Sequence, residues 1–250
     1  MDKPNPQTAD VPVAEYVQRN FVPVSRVAHD WQFHTAVPLP PAEDRMMVRE
    51  PAAAVPGGIA QRIGALRVLV VPYVACAAEN DLVAWTKPKG ETHSAVWVEG
   101  AERVDLVLPC RELDAHDTGF EFLASVAELL RSRLNEDEAG KFDQLILEEL
   151  RQGVSGEIDD DARAAKKLAT ESHSHRAKQD PLDAYLKICF VSTAAEYMHG
   201  LWHDVQVHIG AEHLPVRQLR QRMKFFAEMF PPNEGYSVFS KELEIDASGG

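Results

Sequence analysis

Cysteine is scarce in this chain of 250 residues: only Cys76, Cys110 and Cys189 occur, and no two of them form a CxxC pair. An odd, scattered set of thiols implies reduced cysteines in a reducing compartment. Long apolar runs are missing too. No stretch of about 18 apolar residues is available to span a bilayer, and the opening MDKPNPQTADVP lacks the apolar core of a signal peptide, so the expected residence is cytoplasmic with no membrane association. Positive charge is in deficit, 26 Lys and Arg against 39 Asp and Glu for a net charge of -13, which excludes a protein whose whole surface grips nucleic acid or anionic lipid. GxGxxG, Walker A, GxSxG and kinase signatures are all absent, which argues against the standard nucleotide and serine-hydrolase sites.

What is present is an ordinary globular composition, 45% hydrophobic and 26% charged, with enough chain to bury a substantial core. Residues 1–12 carry three prolines and few apolar residues, and read as a disordered tail. Residues 14–35 hold apolar side chains without a clean period and fix no secondary structure. Between Val37 and Gly58 five prolines interrupt regular structure and predict a long surface connection.

The period-2 and β-branched segments come next. LRVLVVPYV, from Leu66 to Val74, predicts a strand covered on both faces, with Pro72 at an edge or bulge. Asp81–Trp85, Ser94–Glu99 and Arg103–Leu108 predict further short strands separated by turn sequences. From Thr118 the period becomes helical. Helices are expected from Asp117 or Thr118 to Leu134, from Asn135 to Gly153, within Glu157–His175, from Pro181 to Ile209, and from Leu214 to Phe230. The expectation is therefore an α+β protein: one domain over 13–230, with a small antiparallel or mixed sheet within 60–110 and helices over 118–230, followed by a tail over 231–250.

One pattern carries chemistry. Glu196, His199 and His203 fall within an arc of roughly 60° on a helix. Two imidazoles one turn apart are how a helix offers two nitrogens to a tetrahedral ion, so His199 and His203, with Glu196, are the expected ligands of zinc, or alternatively of iron. HGLWH resembles the zincin HExxH motif in spacing, but Gly200 stands where the general-base glutamate belongs. EYMH resembles the Glu-x-x-His of di-iron helical bundles, which need a second such motif that this chain lacks. A further donor would come from Glu148, Glu149, Asp183, His208 or Glu228. The function this implies is metal binding with a metal-dependent, hydrolase-like activity. The alternative is a non-catalytic interaction or regulatory protein without metal, meeting a protein partner through Trp202 and the last helix, with the two histidines as ordinary helix-surface residues.

Weaker patterns have simpler explanations. Asp114, His116 and Asp117 precede a helix, an arrangement that could bind a cation or cap the helix, and capping is the expected role. His173 and His175 read as a solvated loop. Arg217, Arg220, Arg222 and Lys224 supply the polar face of an amphipathic helix. All three cysteines sit in apolar stretches of sequence, where thiols are usually inert.

Overall fold

The computed structural model describes residues 9–171, 180–203 and 210–238. The chain forms two compact units, one from Met1–Ala53 with Ile63–Ser125 and the other from Ala54–Arg62 with Val126–Gly250. Two sheets and a set of helices give the α+β class expected from the sequence.

The first unit holds both sheets. In the larger, β2 (Ser25–Arg26), β3 (Gln32–Thr35), β4 (Leu66–Val71), β8 (Val104–Pro109) and β7 (Val96–Glu99) lie side by side in that order. β3, β4 and β8 run parallel, while β2 and β7 pair antiparallel at the edges, so the sheet is mixed. Every residue of β4 and β8 is buried, which is why both read as continuous runs rather than alternating ones. The two charged members of those strands, Arg67 and Asp105, are register partners and pair at 2.6 Å. Arg67 also donates to the Val17 carbonyl, and its guanidinium lies 4.9 Å from the centre of the Phe21 ring. The buried charges are therefore matched, as their burial demands.

Pro72 has a larger effect than an edge or bulge. It separates β4 from β5 (Tyr73–Ala75), which belongs to a different, three-stranded sheet ordered β1 (Val11–Pro12), β6 (Leu82–Ala84), β5. With no N–H to give to a ladder, it marks the point where the chain changes sheets. Val11, α1 (Val13–Tyr16), Phe21, Val71, Val74, Val83 and Val107 share one apolar cluster. Order therefore begins before Val13, because Val11 is buried and pairs with Val83.

The surface connection expected over 37–58 is corrected. This stretch contains α2 (Pro41–Asp44), a π turn over Arg45–Arg49, α3 (Glu50–Ala54) and α4 (Gly57–Ile63), and Val48, Ala52, Ala54 and Val55 are fully buried. Pro41 opens α2, Pro51 follows the π turn in the first turn of α3, and Pro56 precedes α4. At helix starts a missing N–H costs nothing, so these prolines punctuate helices instead of excluding them.

α5 (Ala115–Arg133) begins in the first unit and ends in the second. The second unit then holds α6 (Glu136–Arg151), α7 (Asp160–Glu171), α8 (Pro181–Trp202) and α9 (Val216–Met229). Asn135 starts α6 with a complete capping box closed by Glu138, and the Asp180 side chain accepts the Leu182 N–H at the start of α8. α8 is buried on more than one side, through Tyr185 and Cys189 as well as Phe190, Ala194, Tyr197 and Leu201. Phe142 of α6 meets the rings of Phe190 and Phe226 at 5.3 and 5.4 Å. Order also continues past Phe230: Asn233 accepts the Gly57 N–H and donates to the Val55 carbonyl, and Val238 is buried.

Candidate metal centre

Glu196 and His199 occupy the last turns of α8. His199 Nδ1 lies 3.6 Å from Glu196 Oε2, beyond a good hydrogen bond, with both side chains largely buried. His203 has left the helix: it is the C-cap, with extended backbone (φ -130, ψ 168) and its N–H on the His199 carbonyl. Its ring lies 5.7 Å from that of His199, edge-on, and 4.1 Å from that of Trp202, tilted, so the helix end forms a cluster of three rings.

The expected extra donors are engaged or distant. Glu148 binds Arg151 and Gln152, Glu149 binds Arg222, and Glu228 pairs with Lys224. Asp183 is exposed in the first turn of the same helix, and His208 lies outside the described residues, as do His173 and His175.

Asp114 caps α5. Its Oδ1 accepts the Asp117 N–H at 2.9 Å and its carbonyl accepts the Thr118 hydroxyl at 2.7 Å. The helix thus starts one residue after Asp114, earlier than expected. Asp114, His116 and Asp117 have donor atoms within 4.8 Å of one another, but they are largely exposed, Asp114 is occupied in capping, and His116 Nδ1 lies 3.3 Å from Asp117 Oδ1.

Among the described residues, one other group of three brings donor atoms within 4.8 Å: Cys76, Asp81 and His93, each partly buried. Strand register builds it. β5 pairs antiparallel with β6 through Ala75↔Leu82, so one step further Cys76 stands opposite Asp81 across the four-residue connection 77–80. On the other flank, the isolated bridge Ala75↔Thr92 brings His93 alongside, with its N–H on the Val74 carbonyl at 2.9 Å. His93 Nε2 then meets Asp81 Oδ1 at 2.9 Å. The Asp81 carbonyl also accepts the Val13 N–H, which ties the hairpin to α1. Partial desolvation, and then the Asp81 and Glu91 carboxylates, hold the Cys76 thiol above its ordinary pKa. Such surroundings favour a cation, which would deprotonate the thiol on binding.

This group corrects the expectation of apolar surroundings for Cys76, which stands beside Asp81 and His93. Its signal in the sequence was Cys76 and Asp81 bracketing a four-residue turn between two strand candidates, but His93 joins only through a bridge that no periodicity announces.

A second polar cluster lies inside the second unit. Arg222 is fully buried on α9, contrary to the reading of it as part of a basic surface. It donates to Glu149 Oε2 at 2.6 and 3.0 Å, to Glu157 Oε2 at 2.8 Å and to Glu157 Oε1 at 3.3 Å. Tyr185 and Lys166 donate to the same Glu157 Oε1 at 2.5 and 2.9 Å. Cys189 Sγ lies 3.8 Å from Glu157 Oε2, and burial, followed by the Glu157 charge, pushes its thiol up to about 12. Two carboxylates, one guanidinium and one ammonium neutralise one another here, so the cluster joins α6, α7, α8 and α9 and leaves no charge seeking a ligand.

Comparison of the chain with family models, with curated proteins and with solved structures found no match.

Proposed function

We propose that this is a metal-binding protein that holds a zinc-class ion in its first unit through Cys76, Asp81 and His93. The observation that carries the reading is three donors of different chemistry whose ligand atoms lie within 4.8 Å of one another. Thiolate, imidazole and carboxylate together suit tetrahedral Zn²⁺, and the thiolate favours zinc over iron held by nitrogen and oxygen alone. The proposal keeps the metal expected from the sequence and moves it from the end of α8 to the β5–β6 hairpin. A reducing compartment such as the cytoplasm fits the role, since Cys76 must stay a thiol to bind, and all three cysteines are free. Among the described residues no helix is long and apolar enough to cross a membrane.

Hydrolytic chemistry is the less supported half of the original expectation. Gly200 is buried and brings no carboxylate, and Glu196 faces His199. The imidazoles of His199 and His203 pack with Trp202, which supports a structural or partner-facing role for the helix end.

Metal analysis of protein purified without an affinity tag tests the reading. One zinc per chain is expected, lost in Cys76→Ser and His93→Ala and retained in His199→Ala and His203→Ala. A folded preparation that is metal-free and takes up no added zinc overturns it. Loss of zinc in the His199 and His203 variants alone would return the site to α8.

A further inference from the structure

We infer that Glu91 is the fourth ligand of the hairpin site, closing it as a four-coordinate structural centre rather than leaving a position for reacting water. The inference rests on the metal reading above and deepens it.

Register supplies the argument. Cys76 donates its N–H to the Glu91 carbonyl at 2.9 Å and His93 donates to Val74 at 2.9 Å, on either side of the Ala75↔Thr92 bridge. In antiparallel pairing, opposed residues share a face and successive residues alternate. Cys76 and Glu91 therefore point to one face, together with Val74 and His93. Across the other flank Val74 opposes Val83, and Cys76 opposes Asp81 on that same face.

Two rows result. Val83, Val74 and His93 lie abreast, with the two valines fully buried in the core. Asp81, Cys76 and Glu91 form the next row, at its margin. Directly opposed residues have Cβ atoms roughly 5 Å apart, within reach of a glutamate carboxylate turned over its neighbour. Glu91 is exposed and stands outside the 4.8 Å group, so its side chain is at liberty to turn inward when an ion arrives. Three donors within 4.8 Å of one another and a fourth beside them match the ligand count of a closed tetrahedral site.

Cobalt substitution tests this. Co²⁺ added to the full-length protein is expected to give an intense tetrahedral spectrum with thiolate charge transfer that azide leaves unchanged. Glu91→Ala is expected to bind Co²⁺ at least about tenfold more weakly and to acquire an azide-sensitive spectrum, because solvent takes the freed position. A wild-type spectrum that shifts with azide, or a Glu91→Ala variant with unchanged affinity, overturns the assignment of Glu91 and leaves the three-donor site standing. Absence of Co²⁺ and Zn²⁺ binding in the wild type, or binding that survives Cys76→Ser, removes the site itself.

Discussion

Arg222 is fully buried and bridges two carboxylates, Glu149 and Glu157, inside the second unit. It was countable as surface charge only if its neighbours on the wheel were ignored: Leu219 lies three residues before it, and Met223 and Phe226 follow, all buried. A basic residue inside an apolar stripe is a legible sign of a buried pair, although its acceptors on α6 and at Glu157 are not. Arg222→Ala is expected to cost about 3–5 kcal/mol by urea denaturation, because two buried carboxylates lose their counter-charge. Arg217→Ala, exposed on the same helix, is expected to stay within about 0.5 kcal/mol. A loss under about 1 kcal/mol at Arg222 would show that the network contributes little. The pH dependence has a definite sign. Burial alone would raise the Glu157 carboxyl, but the Arg222 charge and hydrogen bonds, with Tyr185 and Lys166, hold it below its ordinary 4.5. Its contribution is therefore fully present above pH 4.5 and drains away as pH falls through the lower folded value. Glu157→Gln is expected to flatten that acid limb. Gly156 serves the same cluster through backbone shape: its φ is +72, and a Cβ there would lie 2.1 Å from the His213 carbonyl oxygen. Gly156→Ala is expected to destabilise by about 2 kcal/mol or more, since backbone must move.

Helices with a chemical start signal were the most readable elements. Asn135 followed by acids predicted the start of α6, where the structure adds a capping box with Glu138, and Asp180 followed by Pro181 predicted the start of α8. Asn135→Ala is expected to cost about 1 kcal/mol, measured by thermal or chemical unfolding, and Asn135→Asp much less. Strands β4, β6, β7 and β8 were legible as apolar runs, but their grouping was not. Which sheet a strand joins depends on pairing across distant sequence, and Pro72 splits one nine-residue run between two sheets. The segment 37–58 misled for a related reason, because proline at the first turn of a helix and proline in a loop look alike without the burial of Val48, Ala52 and Val55. The end of α8 shows the same limit. Glu-x-x-His-x-x-x-His shares one face only while the helix lasts, and the helix stops at Trp202. Donors on strands are the harder case, since Cys76, Asp81 and His93 converge by register, which is set by the turn and the buried face rather than by a fixed sequence spacing.

Division of the chain into two units makes the consequences of metal binding separable. Cys76, Asp81, Glu91 and His93 all belong to the first unit, whereas the Arg222 network and α8 belong to the second. An ion bound only by the folded hairpin stabilises it by mass action, about 2.7 kcal/mol when free zinc is a hundredfold above its Kd. That stabilisation should appear where the ligands are. Hydrogen exchange is the suitable measurement because it resolves segments without substitution. Added zinc is expected to slow amide exchange over β5, β6 and residues 91–93, and to slow Val11 and α1 as well, because Val11 pairs with Val83 and Val13 hangs on the Asp81 carbonyl. Exchange in α6 and in α8 is expected to be unchanged. The reverse pattern, protection of α8 with no effect on the hairpin, would place the ion at Glu196, His199 and His203 after all. Protection of neither would mean that the donors at Cys76, Asp81 and His93 meet for packing and hydrogen bonding alone.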